Sequence, residues 1–265
     1  MGVKLADALI QSRKGFIPFV TAGDPDLETS LAICLKLAEL GADVIELGVP
    51  FSDPMADGPT IQRSSQRALA RGVSLLNVLD LAKSFRAASD VPLVLFTYFN
   101  PVLSHGLDKF AALAKASGID GVLLTDVIGD EADAISSKLA EHEIHLISLV
   151  APTTTHARLE QICRHARGFL YAVSRAGVTG ARESVSDAAE KLVARTRKFT
   201  DLPIAVGFGI STAEQIADVW RFADAAVVGS AIVAEIEKHQ ADAVAAVESF
   251  VSRLLPSVAK AGGEL

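Results

Sequence analysis

Glu46 and Asp57 are the residues of this chain whose types and spacing most directly suit proton transfer. Glu46 lies within an apolar run, Asp43-Val-Ile-Glu-Leu-Gly-Val49, that reads as a buried strand. A glutamate in such a run is costly unless it is neutral, paired or used. Asp57 follows in a loop that also carries Pro50, Asp53, Pro54, Gly58 and Pro59, and a loop so stiffened can aim a side chain back at the strand end. Carboxylates in such unlike surroundings have pKa values pushed apart, which is the arrangement acid–base catalysis uses. Each residue also has a plainer reading. Glu46 could be a structural acid hydrogen-bonded to backbone, and Asp53 and Asp57 could simply form turns.

The elements that must position these groups follow a regular cadence. A short helix over about 3–13 precedes a strand over 16–21, and Asp26 is placed to cap the next helix, 27–40, whose apolar residues recur at helical spacing. Gly41 ends that helix, and the strand holding Glu46 begins at Asp43. Further apolar strands read at 92–98, 121–125, 144–150, 168–174, 203–207 and 224–229, each followed by a helical segment. Three strand starts echo one another: Gly41-Ala-Asp-Val-Ile, Gly118-Ile-Asp-Gly-Val and Phe222-Ala-Asp-Ala-Ala-Val. Near-continuous apolar strands alternating with helices imply a parallel sheet covered by helices. Eight such units predict an α/β chain folded as one closed (β/α)8 TIM barrel with an extra N-terminal helix. A doubly wound open sheet is the alternative, but it rarely needs so many similar units. No linker divides residues 1–265, so a single domain is expected, frayed only at the tail Ala261-Gly-Gly-Glu-Leu265.

In a barrel the loops after the strands build the active site. Along the second strand Val44, Glu46 and Gly48 share one face and Ile45, Leu47 and Val49 the other. The bulky branched face packs against helices, so Glu46 points into the barrel near its C-terminal rim. Burial should raise its pKa toward neutrality and let it both give and take a proton. Arg175-Ala-Gly-Val-Thr-Gly-Ala-Arg182, after the sixth strand, has little apolar anchoring between Gly177 and Gly180 and suits a mobile lid, or an ordinary flexible loop. Gly207-Phe-Gly-Ile-Ser211 and Val228-Gly-Ser-Ala231 leave strands seven and eight, where barrels bind phosphate through backbone N–H groups. Glycine also ends strands for steric reasons, but the two pairs together favour an uncharged phosphate cradle, with Ser230 able to cap and donate.

Other functions find less support. The net charge of −7 and the absence of basic runs argue against nucleic acid or an anionic membrane as partner. The N-terminus lacks the long apolar segment of a signal peptide, and no stretch reaches the ~20 apolar residues of a membrane span. A cytoplasmic protein is expected. Cys34 and Cys163 fall in helical patterns far apart and read as small core residues. His142 and His145 straddle a helix end and the next strand without ligand spacing. Lys109, Lys115, Lys138, Lys191 and Lys198 all fall in helical segments, so no lysine stands at a strand end to form a Schiff base. No His/Asp/Glu cluster offers a metal site. Carbon–carbon cleavage here would run by acid–base catalysis alone.

The motif Glu46-Leu-Gly-Val-Pro-Phe-Ser-Asp-Pro-Met-Ala-Asp-Gly-Pro59 resembles the signature of the tryptophan synthase alpha subunit family. The resemblance extends through Pro18-Phe-Val-Thr-Ala-Gly-Asp-Pro25, Thr97-Tyr-Phe-Asn-Pro-Val102, Ala151-Pro-Thr-Thr154, Ser174-Arg-Ala-Gly-Val-Thr-Gly180 and Gly207-Phe-Gly-Ile-Ser211. It implies cleavage of indole-3-glycerol phosphate to indole and glyceraldehyde 3-phosphate, near the end of tryptophan biosynthesis, without a cofactor. Protonation at C3 lets a 3-substituted indole hold the electrons such a retro-aldol step requires. By motif position the resemblance makes Glu46 the acid–base catalyst, Asp57 the partner of the indole N–H and Tyr171 an assisting residue. It gives Gly180, Gly209, Gly229 and Ser230 the phosphate and makes Phe19, Tyr98 and Phe208 walls of the indole pocket, although each of these three could equally be core. Thr179 would reach the Asp57 loop when the lid closes. The implied partner is a pyridoxal-phosphate-dependent beta subunit in an alpha2-beta2 heterotetramer, met through loops at 50–59 and 100–104. One departure is visible. The family has Asp-x-Pro after the fourth strand, whereas this chain has Asp126-Val-Ile-Gly-Asp-Glu131, which should loosen that turn. Two other functions fit the same residues: a free-standing indole-releasing lyase, and a catalytically silent phosphosugar-binding subunit that regulates a partner.

Overall fold

The computed structural model describes residues 5–10, 14–127, 130–173, 185–207 and 209–255. The apolar runs form parallel strands β1 (Gly15–Thr21), β2 (Ile45–Gly48), β3 (Leu93–Thr97), β4 (Gly121–Leu124), β5 (His145–Leu146), β6 (Ser148–Val150), β7 (Leu170–Val173), β8 (Ile204–Gly207) and β9 (Ala225–Val228). They lie in the order β5-β4-β3-β2-β1-β9-β8-β7-β6. The strand expected over 144–150 is thus two pieces. β5 pairs with β4, β6 pairs with β7, and the intervening Ile147 N–H still donates to Val122 O at 2.8 Å. That run of chain changes neighbours at Ile147 and so joins the two ends of the sheet. The nine pieces make the expected eight-stranded (β/α)8 barrel.

The helices are α1 (Leu5–Ile10), α2 (Leu27–Glu39), α3 (Pro59–Ala70), α4 (Leu75–Arg86), α5 (Phe99–His105), α6 (Leu107–Ala116), α7 (Asp130–Ala140), α8 (His156–His165), α9 (Val185–Thr196), α10 (Ala213–Val219), α11 (Ser230–Lys238) and α12 (Ala243–Leu254). Local chemistry sets their ends. The Asp26 carboxylate accepts from Thr29 N–H at 2.7 Å, as its position before α2 predicts. Gly41, at φ 92°, turns the chain out of α2 in a conformation that L side chains rarely adopt. Pro59 stands at the first position of α3, where its missing N–H costs nothing. Lys198, expected in a helix, lies in the turn after α9.

The echoed strand starts have a common physical role. Asp43, Asp120 and Asp224 each accept from the first N–H groups of the neighbouring strand: Phe16 at 2.8 Å, Leu93 at 2.9 Å and Ile204 at 2.8 Å. Each aspartate also donates its own N–H to the carbonyl of that same residue. Paired bonds of this kind resist a one-residue slip, which would turn every side chain to the wrong face.

Side chains divide as alternation requires. Ile45 and Leu47 pack with the helices, while Val44 joins Ile17, Val94, Leu123, Phe169 and Ala225 inside the barrel. Leu5 and Leu9 of α1 belong to that inner cluster and plug the end of the barrel at which the strands begin. Gly15 and Gly121 leave room for them, since a methyl at either position would lie within 3 Å of a leucine side chain. Trp220, packed with the outer helix layer, donates its indole N–H to Gly15 O at 2.9 Å at the same end. The other end stays open.

Candidate active site

A cavity of about 670 Å³ opens where the strands end, lined by Glu46, Asp57, Phe19, Tyr171 and the glycines after β8 and β9. Glu46 reaches it because β1, β2 and β3 pair so that Phe19, Glu46 and Val94 stand side by side. Its side chain is 1% exposed, and neither carboxyl oxygen has a hydrogen-bond partner among the described residues. The plainer reading, a backbone-bonded structural acid, therefore finds no bond to rest on. Burial pushes the carboxyl up to about 8, so at neutral pH it carries a proton it can give away. Asp57 shares the cavity wall in a more polar setting. Partial burial raises it to about 6, offset in part by the Tyr98 hydroxyl. One acid and one base therefore face the same space over the same pH range.

Tyr171 stands beside Glu46, and burial together with the nearby glutamate raises its pKa well above the ordinary value. The phenol stays protonated and can only donate or accept a hydrogen bond. Its ring is held over Gly207, where a methyl would overlap the hydroxyl. Gly207→Ala is expected to displace that hydroxyl and lower kcat/KM for indole release by about tenfold, with a loss of about 1–3 kcal/mol in unfolding free energy from overpacking. Steady-state assays and denaturant unfolding check both halves. Gly48 plays the same part for Phe19, whose ring would lie 2.5 Å from a methyl at 48.

Tyr98 does not line the cavity. Alternation carried from Val94 through Phe96 would point it inward, but the strand ends at Thr97 and Tyr98 becomes the N-terminal cap residue of α5. Its ring packs on Phe51 at 5.0 Å between centroids, and its hydroxyl accepts from Ala56 N–H at 2.9 Å. It braces the Asp57 loop from behind. Phe96 takes the wall position instead, edge-on to Phe19 at 5.3 Å. A reading of the sequence passes over Phe96 because a place in the barrel core suffices to explain it, and only its inward register flags it. Leu149, Val173 and Ile61 add to the apolar wall, and Thr125 brings a hydroxyl to it.

The opposite end is built from backbone. Gly209 has φ 52° with no atom within 4 Å of an added methyl, so it needs glycine for its conformation and leaves the space above it free. Gly229 is the N-terminal cap of α11, and Ser230 is the first residue inside that helix rather than its cap. The first N–H groups of a helix have no acceptor within it and carry partial positive charge. No Lys or Arg lines the cavity among the described residues, so an anion there would be held by N–H groups and the Ser230 hydroxyl. Thr179, Gly180 and Phe208, with the expected lid over 175–182, lie outside the described residues.

Two rim features differ from expectation. The segment 100–104 is not a loop but part of α5. Asp126, at the departure from the family pattern, accepts from Phe99 N–H at 2.8 Å and so fixes the start of α5. No group of three or more His, Cys, Asp or Glu able to hold a metal stands together among the described residues, and Cys34 and Cys163 are buried thiols. No helix among the described residues is long and apolar enough to cross a membrane.

A (β/α)8 barrel whose mouth joins a protonated glutamate and an aspartate across an apolar cavity to a helix N-terminus defines an acid–base enzyme for a phosphorylated, apolar small molecule. Comparison with known proteins gives its kind. The family model for the tryptophan synthase alpha chain matches residues 5–258. The chain is 49% identical over 248 residues to the tryptophan synthase alpha chain of Geobacter sulfurreducens, covering 93% of this chain and 94% of that one. It is 48% identical over 256 residues to that of Phenylobacterium zucineum, covering 96% and 91%. Among solved structures, the alpha chain of Legionella pneumophila superposes with a TM-score of 0.87 at 34% identity, over 99% of this chain and all of that one. A chain from a structure of the Pyrococcus furiosus tryptophan synthase a2b2 complex superposes with a TM-score of 0.86 at 39% identity, over 97% and 100%. This chain belongs to the tryptophan synthase alpha chain family. It is a carbon–carbon lyase that cleaves indole-3-glycerol phosphate to indole and glyceraldehyde 3-phosphate.

Proposed function

We propose that a single barrel domain carries out this cleavage with Glu46, Asp57 and Tyr171 as its working groups. The observation that carries the assignment is Glu46, fully buried, unpartnered among the described residues and facing the cavity. The indole ring lies against the wall that Phe19 and Phe96 form together, with Phe208 as a further wall, the phosphate lies at Gly209, Gly229 and Ser230 with Gly180, and Thr179 reaches the Asp57 loop. Glu46 gives its proton to indole C3, and positive charge builds on the ring nitrogen. The Asp57 carboxylate accepts the N–H hydrogen bond and stabilises that charge. Glu46, now ionised, takes the proton of the hydroxyl on the carbon attached to C3. That carbon's bond to C3 breaks, its electrons return to the ring, and the aldehyde and neutral indole form. Tyr171, protonated throughout, orients the Glu46 carboxyl or the substrate hydroxyl. An indole-release assay tests the assignment directly.

The same reading gives the chain a pyridoxal-phosphate-dependent beta subunit as partner in an alpha2-beta2 complex, in the cytoplasm. Support comes from the Pyrococcus furiosus complex and from apolar side chains left open at the mouth, Met55 at 86% and Leu103 at 57% exposure. Indole is uncharged and apolar and would otherwise diffuse away, whereas the phosphorylated substrate cannot cross a membrane unaided. Docking on the Asp57 loop would order the aspartate and raise turnover. Mixing the chain with its cognate beta subunit is expected to give co-elution at micromolar concentration and faster indole release. Separate elution with unchanged turnover would leave a free-standing lyase.

A further inference from the structure

An ion-pair cluster outside the cavity joins the two ends of the site. Arg67 of α3 grips Asp24, in the loop after β1, with Nε to Oδ1 at 2.8 Å and Nη2 to Oδ2 at 2.7 Å. Its Nη1 donates to Glu237 of α11 at 2.7 Å. Arg63, one turn earlier on α3, donates to both Glu237 oxygens at 2.8 and 2.7 Å. Asp24 is 1% exposed and anchors the cluster in the barrel, whereas Arg63 and Glu237 lie toward solvent.

The placement of the two helices makes this more than surface pairing. α3 begins two residues after Asp57, and its Gln62 side chain donates to the carbonyl oxygens of Asp57 at 2.9 Å and Pro54 at 3.4 Å. α11 begins at Ser230, with its first N–H groups at the phosphate end of the cavity. The cluster therefore links α11, through Glu237, to α3 and to the loop that holds Asp57. Fork-shaped arginine–carboxylate bonds fix direction as well as distance.

We propose that Arg63, Arg67 and Glu237 are positioning residues that couple occupation of the phosphate end to the placement of Asp57. The inference rests on the roles assigned above to Ser230 and Asp57. The probe is glycerol 3-phosphate, with hydrogen exchange followed at the amides of residues 55–58. In the unaltered chain the probe is expected to slow their exchange. Glu237→Gln should bind the probe within about twofold yet lose that protection, with kcat for indole release down about tenfold and KM little changed, the size expected for a small misplacement of a reacting group. In an Asp57→Asn background Glu237→Gln should lower kcat no further, because the effect runs through Asp57. Arg67→Lys, which keeps the charge but not the fork, should behave like Glu237→Gln. Arg63→Gln, at the half-exposed end, supplies the same readouts if Glu237→Gln does not fold. Full protection and full kcat in the variant would overturn the proposal, as would an undiminished effect in the Asp57→Asn background. Probe binding without protection in the unaltered chain would sink the coupling alone. Failure of the probe to bind would remove the phosphate assignment and the coupling with it.

Discussion

Indole release by the Glu46→Gln variant is expected to fall on the order of a hundredfold or more, because the amide keeps the shape of the side chain but transfers no proton. Glycerol 3-phosphate should still bind, since the phosphate site proposed above, at Gly209, Gly229 and Ser230, does not use the Glu46 carboxyl. Near-normal turnover by the purified variant would end the assignment of Glu46. The same substitution should act on stability in the opposite sense. Glu46 is raised from 4.5 to about 8, so the folded chain holds a proton that the unfolded chain has released between those values. Stability contributed at this position is greatest below pH 4.5, falls as pH rises through that window and stays low above about 8. Glutamine has no such slope. The variant should therefore gain on the unaltered enzyme by a few kcal/mol between pH 5 and pH 9, a tenfold difference in proton affinity being worth about 1.4 kcal/mol. Denaturant unfolding at the two pH values measures the difference.

Asp57→Asn should be nearly inactive, for a different reason. Asparagine can still accept a hydrogen bond from the indole N–H, but a neutral amide cannot balance the positive charge that builds there. Losing one such interaction lowers turnover by on the order of a hundredfold or more. The pH profile separates the two carboxylates. Asp57 must be ionised and Glu46 protonated, so kcat/KM in the unaltered chain should rise through about 6 and fall through about 8. The residual activity of Asp57→Asn should lose the acid limb and keep the alkaline one. An acid limb left in place would assign it to another group.

Much of this site is legible in the chain alone. Alternation along 43–49 puts Glu46 on the inner face because Ile45, Leu47 and Val49 need the helices. Asp26 as a cap and Gly41 as a helix end follow from local backbone chemistry, which depends on a few neighbouring residues. Glycines after two late strands mark the end proposed to hold the phosphate through the same local logic. Sequence patterns mislead where they are carried across an element boundary. Register with Phe96 would keep Tyr98 inward, although the strand stops at Thr97. Asn100-Pro101 has the composition of a turn, yet it lies inside α5.

The sequence by itself determined the strand and helix cadence, the inward face of each strand and the pairing of an apolar-strand glutamate with a loop aspartate. Those features arise from periodicity and local sterics, which a single chain displays in order. Only the tertiary structure decided that the run over 144–150 closes the barrel by changing neighbours at Ile147. It also decided that Asp43, Asp120 and Asp224 latch adjoining strands, and that Phe96 rather than Tyr98 walls the cavity. Arg63 and Arg67 meet Glu237 from about 170 positions away in the chain, a contact that no local pattern carries. Bonds between distant segments depend on how the whole ring closes, and ring closure is a property of all the strands together.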